Sequence, residues 1–393
     1  MGINIAHASG SLVDRDIFEN EHDAFRDSVR RFVETELQPH HHEWEKAGIV
    51  PRDVWLKAGE IGMLCPSVPE EYGGIGADYL YSVVMIEEIT RANVTGPGFM
   101  VHSEMVAPYI LAWGTEETKQ QWLPRMVTGE KIGALGMTEP GAGSDAKAIR
   151  TRAERRGDEY VINGQKTYIS NGQHCDVLVV ACKTDPAAGA KGVSLIAVDA
   201  DQPGFERGRN LDKIGLKAQD TSELFFSDVR APLSSRLGEE GAGFSMLMTK
   251  LAQERLSVAV KGMAASEAAL RWTVEYVQER ELFDQKLADF QNTQFVLAQL
   301  AAEVSQGRIM VDWGINRFMK GTLTTVDASK IKLLITELNG RLVDQCLQFF
   351  GGYGYMTEYP ISQAFIDARI SRIAGGASEV MKQIIARDLF RSH

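Results

Sequence analysis

Cysteine is scarce: four in 393 residues, none in a Cys-x-x-Cys pair. Cys65, Cys175, Cys182 and Cys346 are scattered, which disfavours a disulfide framework or a thiolate zinc site and leaves reduced thiols as the expectation. Long apolar runs are missing too. Stretches such as VLVVAC at 177–182 are far too short to span a bilayer. Positive charge is the minority, with 42 Lys and Arg against 53 Asp and Glu and a net charge of −11. That balance argues against nucleic-acid or anionic-membrane partners, both of which reward basic patches. The opening MGINIAHASG lacks a basic region followed by an apolar one, and Ala6 stands where myristoylation needs Ser or Thr. A protein of the bacterial cytoplasm or of an organelle matrix is expected. No internal repeat, low-complexity tract or alternating βαβ pattern is present, so a dinucleotide fold is not indicated.

What is there is a chain long enough for two or three domains. From about 17 to 130 the apolar spacing is helical, as in HDAFRDSVRRFVETEL and DYLYSVVMIEEITRA, with PEEYGG and TGPG as breaks. From about 133 to 235 short β-like runs take over: EYVING, DVLVVAC, GVSLIAVD and ELFFSDVR. From about 241 to 390 the helical period returns, punctuated at FFGGYGYM. The pattern predicts an α+β multi-domain protein: a helical domain over 1–132, a β domain over 133–240 and a helical bundle over 241–393.

One apolar helical stretch carries an unexpected charge. Phe244, Leu247, Leu251, Glu254 and Val258 fall at alternating steps of three and four, so Glu254 interrupts an apolar stripe, and Arg255 points about 100° away. A carboxylate there must be exposed at an interface, paired, or kept for chemistry. Elsewhere, MTEPGAGSD at 137–145 puts Gly141, Ala142 and Gly143 in a row, which lets a backbone approach a ligand; a tight turn between strands reads the same way. In INGQKTYISNG, Asn163-Gly164 and Asn171-Gly172 are turn dipeptides flanking a short strand, and alternation puts Tyr168 and Ser170 on one face. A planar cofactor could use that face, and a plain surface hairpin would look alike. His40-His41-His42 diverge around a helix, do not converge on one ion, and are read as a solvated helix end; no metal is expected.

In this order and spacing the segments resemble the acyl-CoA dehydrogenase family of flavoenzymes. TEPGAGSD is followed by a G-x-K-x-aromatic-I-[ST]-N-G strand, then LKAQDTSELFFSDVRAP, RELF, QFFGGYGYMTEYP and DARISRI, so the resemblance covers nearly the whole chain. The long-chain members are most similar, sharing segments at 42–48, 96–99 and 253–256. The resemblance implies a helical N-terminal domain, a middle β-barrel domain and a C-terminal helical bundle, with FAD held between them. It implies cofactor contacts from Met137, Thr138, Ser144, Tyr168 and Ser170, where many relatives have Trp and Thr at the last two positions. It further implies that Arg280, Phe283, Gln291, Gln348, Gly352 and Glu379 serve the FAD of a neighbouring subunit. Asp284 departs from the usual Gly. Taken alone, Arg280 would read as an ordinary surface cation.

Desaturation of an acyl thioester needs a base for the Cα proton while hydride leaves Cβ for flavin N5. Many relatives carry that base in a C-terminal I-Y-E-G-T segment, but the matching stretch here is IAGGA, with Gly375 in the Glu position and Ala377 in place of Thr. A subset carries it on a preceding helix in an E-R dipeptide, which matches Glu254 in QERL. Glu254 is therefore the expected base, and burial would make it a stronger one. The competing reading is a carboxylate neutralised by a basic neighbour. The Gly375 N–H is expected to hydrogen-bond the thioester carbonyl, with Ser144, Arg255 and Gly376 also touching substrate. Pro97-Gly98 resembles a small pair that admits long acyl chains, or is only a turn. The function expected is desaturation of medium- to long-chain or branched acyl-CoA, with electrons passed to an electron-transfer flavoprotein by a homo-oligomer, a dimer of dimers in the family. An acyl-CoA oxidase, a flavin monooxygenase or a non-catalytic flavin- or acyl-CoA-binding protein on the same fold are the alternatives.

Overall fold

The computed structural model describes residues 11–391, and the signal and acylation patterns considered for residues 1–10 fall outside them. Helices run from Asn20–Phe32 to Glu116–Val127, strands from Gly133–Gly136 to Arg236–Leu237, and helices again from Gly243–Glu279 to Ser378–Arg391. The helical, β, helical order follows the switch of apolar period from 3.6 to 2 and back. No helix of the described residues is long and apolar enough to cross a membrane. Packing divides the chain differently from chain order. Among the described residues, one compact unit is 11–33, Val83–Val94 and 252–391; the other is Glu34–Ser82 and Thr95–Leu251.

In the second unit an eight-stranded sheet runs in the order Phe205–Asn210, Thr221–Pro232, Glu159–Ser170, Arg152–Arg156, Val177–Lys183, Val193–Asp199, Arg236–Leu237. Gly133–Gly136 adds in parallel to Val177–Lys183. That central strand is buried at every position, as its unbroken apolar run requires. Val177, Val179 and Ala181 enter a core with Trp122, Leu123 and Met126, while Leu178, Val180 and Cys182 enter another with Tyr160, Ile162 and Leu224.

Three local expectations change. Asn163-Gly164 is not a turn but an irregularity inside the 12-residue strand Glu159–Ser170, where the register to Thr221–Pro232 slips. A Cβ on Gly164 would lie 2.5 Å from the Thr151 hydroxyl, so only glycine fits there. The histidine triplet is not a solvated helix end throughout. His41 is buried, accepts a hydrogen bond from the Thr95 N–H at 3.1 Å, and is pushed down to about 4 by burial. Pro97-Gly98 lies in a packed segment: Cβ atoms on Gly96 and Gly98 would meet Ala218 at 2.7 Å and Asn171 at 1.8 Å. Close packing explains these glycines without an acyl chain.

The first unit is organised around buried ions. Glu87 lies at its centre, bonded to Arg15 at 2.7 Å, Arg308 at 2.9 Å and Arg26 at 3.1 Å. Glu88 accepts from Arg26 and Arg91, Glu267 grips Arg308 through two bonds of 2.8 and 2.6 Å, and Asp312 does the same for Arg15. Arg15, Arg26, Arg91 and Arg308 thus face Glu87, Glu88, Glu267 and Asp312, and the partly exposed Arg30 adds a fifth guanidinium 3.0 Å from Glu88. Burial works to raise the Glu87 and Glu267 carboxyls, but the surrounding guanidinium groups outweigh it and hold both below the ordinary carboxylate range. Their contribution to stability is therefore present above the unfolded carboxyl value and lost only as pH falls through the lowered one. Replacing one partner of such a set strands a buried charge. Glu267→Gln is expected to cost about 3–5 kcal/mol, read as a fall in the denaturant midpoint; a change under about 1 kcal/mol contradicts this assignment.

Candidate functional site

In the second unit the 137–145 turn and the end of the Glu159–Ser170 strand are tied together by one buried ion pair. Lys166 Nζ lies 2.7 Å from Glu139 Oε1 and also donates to the carbonyls of Ala181 at 2.7 Å and Met137 at 3.2 Å. The carboxylate accepts in addition from the Arg150 and Thr151 N–H groups at 2.7 and 3.0 Å. Burial raises the Glu139 carboxyl, and the Lys166 ammonium with these bonds more than offsets it, so the group stays below its ordinary value. Above the pair, Glu139 and Ala142 exchange two backbone bonds and close a turn over Pro140-Gly141. A Cβ on Gly141 or Gly143 would meet nothing within 4 Å, so packing within the chain does not explain these glycines. Ser144 is exposed, and Met137 and Thr138 are partly so.

The strand that follows does not alternate as its sequence suggests. Lys166 pairs with Leu224 but Ile169 with Ser222, so one extra residue is bulged out. Tyr168 occupies the bulge at φ +59 and is 68% exposed. A bulky residue in the left-handed region is strained, by about 1–2 kcal/mol. Thr167 N–H bonds the Thr138 carbonyl at 2.9 Å, locking the bulge to the glycine turn. The exposed ring of Tyr168, the half-buried Ser170 and the open turn are therefore held by Glu139 and Lys166, neither of which the motif reading singled out.

In the first unit, Glu254 is 4% exposed and Arg255 2%, on the Gly243–Glu279 helix with Leu256, Ala259 and Val260 fully buried around them. Burial lowers the Arg255 guanidinium, and the Glu254 carboxylate works against that, so the two groups feel each other. Arg255 Nη1 donates to Ser329 Oγ at 3.2 Å. Gly375 and Gly376 have φ of +64 and +97, in the turn before the Ser378–Arg391 helix. A Cβ on Gly375 would lie 3.6 Å from Val258 and 3.7 Å from Lys332 Cε; on Gly376 it would lie 3.9 Å from Arg255. Glu254's helix, Arg255 and the Gly375 turn are thus brought together.

The residues expected to reach a neighbouring subunit are all exposed: Arg280, Phe283, Gln291, Gln348, Gly352 and Glu379. The Arg280 guanidinium sits 5.7 Å from the Tyr353 ring, beside Gly352. Tyr353 rests on Tyr359, and Phe350 stacks on Tyr276 at 4.2 Å, which stiffens this glycine segment. Gly351 and Gly352 again have nothing within 4 Å of a would-be Cβ. Phe283 and Asp284 are the tip of a two-residue hairpin with φ of +53 and +60. Both tip residues therefore need the left-handed conformation, which explains why glycine is usual at 284 and why Asp, which tolerates it, can replace it.

Three family models match the chain: the N-terminal domain of acyl-CoA dehydrogenase over residues 19–130, the middle domain over 134–229 and the C-terminal domain over 241–390. A mitochondrial long-chain specific acyl-CoA dehydrogenase of Sus scrofa is 46% identical over 95% of this chain and 88% of its own length. An acyl-CoA dehydrogenase structure from Geobacillus kaustophilus is 49% identical, with TM-score 0.94, over 96% of this chain and 100% of its own. A glutaryl-CoA dehydrogenase of Mycobacterium smegmatis in complex with FADH2 is 29% identical, with TM-score 0.87, over 95% of both chains.

The strain at Tyr168 gives a test of the bulge as a built feature. Tyr168→Asn, which tolerates the left-handed region, is expected to raise the stability of the protein by about 1 kcal/mol. Chemical denaturation reads the effect. A variant that is less stable than the wild type contradicts the assignment.

Proposed function

We propose, for a chain that belongs to the acyl-CoA dehydrogenase family and is thus a flavin-dependent oxidoreductase, that Glu254 is the base that takes the α-proton of an acyl-CoA thioester. The carrying observation is a carboxylate 4% exposed on an apolar stripe of its helix, next to the fully buried Leu256, Ala259 and Val260, in a chain whose other family position for a base is Gly375. An ionisable group is costly in such a place, and a role in proton transfer accounts for its retention.

The residues present fit FAD. The turn at Gly141–Gly143 has open space where side chains would be, and Tyr168 offers an exposed ring held out by a strained bulge. Thr138, Ser144 and Ser170 supply hydroxyls and Met137 its backbone for the flavin end. Arg280, Gln291, Gln348 and Glu379, with the bare backbone at Gly352 and the hairpin at Phe283, serve the cofactor of a neighbouring subunit. When bound, FAD supplies the two-electron acceptor for the hydride that leaves Cβ. Glu254 accepts the α-proton, the Cα–H pair becomes the new C=C bond as the β-hydride departs, and the Gly375 N–H steadies the negative charge that grows on the thioester oxygen. The positive φ of Gly375 and Gly376 belongs to a turn in which neither of the two residues carries a side chain.

The preferred substrate is a medium- to long-chain or branched acyl-CoA, a reading carried by the likeness to the Sus scrofa enzyme and not by Gly96–Gly98. An electron-transfer flavoprotein is the electron acceptor, and the working assembly is a dimer of dimers, consistent with the exposure of Arg280 and its companions.

Anaerobic titration with a series of saturated acyl-CoAs is expected to bleach the flavin of the wild type. Glu254→Gln should retain FAD and bind the same thioesters while the rate of bleaching falls by about 10³-fold or more. Bleaching at the wild-type rate would leave Glu254 a structural carboxylate.

A further inference from the structure

Lys332 lies on the Thr325–Phe350 helix and is 1% exposed. Its position repeats the anomaly of Glu254. Ala328, Ile331, Ile335, Leu338 and Leu342 form an apolar stripe at helical spacing, and a lysine interrupts it. Few lysines are fully buried, and one that is must find acceptors. Lys332 Nζ donates to the Gly376 carbonyl at 2.6 Å and to the Ser371 carbonyl at 3.0 Å. These carbonyls stand at the two ends of the segment that carries Gly375. The same helix holds the segment a second time, five residues on. Glu337 bonds Arg372 at 3.3 Å and Ser378 Oγ at 2.5 Å, again one contact before the glycines and one after.

Two glycines in succession with positive φ would otherwise be the softest part of this unit, since glycine backbone has the most freedom to lose. A donor that must meet a developing oxyanion cannot be soft, because its value depends on position to a fraction of an ångström. We propose that Lys332 is a positioning residue for the reaction: by holding the carbonyls of Ser371 and Gly376 it fixes the turn that presents the Gly375 N–H to the thioester oxygen. This rests on the reading of Gly375 given under Proposed function. Lys332 itself does not touch the substrate. Its Cε lies 3.7 Å from the point where a Gly375 Cβ would be, close behind the turn. Burial, with the Arg255 guanidinium nearby, pushes the ammonium down to about 8.

The test uses the FAD-loaded protein, Lys332→Met and Lys332→Gln, and two readouts. The first is the anaerobic rate of flavin bleaching by a saturated acyl-CoA. The second is the red shift of a chromophoric aryl-acryloyl-CoA on binding, which reports polarisation of the thioester carbonyl and is independent of turnover. Lys332→Met is expected to keep FAD and thioester affinity, to bleach about 100-fold more slowly, and to lose most of the red shift. Lys332→Gln, which keeps a shorter donor, should fall between. A wild-type red shift and rate in Lys332→Met overturns the proposal. Loss of FAD and fold in both variants also overturns it, because Lys332 then serves the fold and not the turn. If the wild type neither bleaches nor shifts the chromophore, the functional reading itself fails, an outcome distinct from any behaviour of the variants.

Discussion

A charge removed from water must be paired, hydrogen-bonded or put to use, and both units of this protein are arranged around that constraint. In the first, five arginines pair with four carboxylates among the helices. In the second, Glu139 and Lys166 do so at the base of the glycine turn. Neither arrangement is an efficient source of stability, since apolar side chains of similar volume would often do as well. What ions supply is direction. The Lys166 ammonium selects three acceptors, two on the 137–145 segment and one on the Val177–Lys183 strand, and so sets the glycine turn and the strained tyrosine at fixed places relative to each other.

Glu254 and Lys332 show the same constraint turned towards chemistry. Each interrupts an apolar stripe, and each lies close to the turn of Gly375 and Gly376 through its own helix. In the roles proposed for them, one moves a proton and the other holds a backbone donor still. Rigidity behind the turn and strain at Tyr168 are two forms of preorganisation. In both, free energy is held in the folded chain before a ligand arrives, so that little reorganisation remains when charge develops.

Much of this was legible in the sequence because periodicity reports burial. The change of period marked the β region, and the carboxylate on an apolar stripe at 254 was visible by spacing alone. The same spacing placed Lys332 on an apolar stripe, yet a motif search directed at carboxylates and glycines passes over it. Glu139 and Lys166 were inside recognised motifs, but their partnership spans 27 residues and depends on the sheet that joins them. The bulge at Tyr168 was hidden because strict alternation assumes an unbroken register, and one extra residue reverses which face a side chain takes. Asn163-Gly164 misled for a related reason: a turn dipeptide and a bulge ask for the same backbone freedom.

The central claim is that Glu254 removes the α-proton. A thioester that cannot release a β-hydride isolates that step: the FAD-loaded protein is mixed with a 3-thia-acyl-CoA in D2O, and loss of the α-hydrogen signal is followed by NMR. Wild-type protein is predicted to exchange the α-hydrogens into solvent, and Glu254→Gln, with FAD and the thioether still bound, to leave them in place. Exchange by the variant at the wild-type rate would contradict the account.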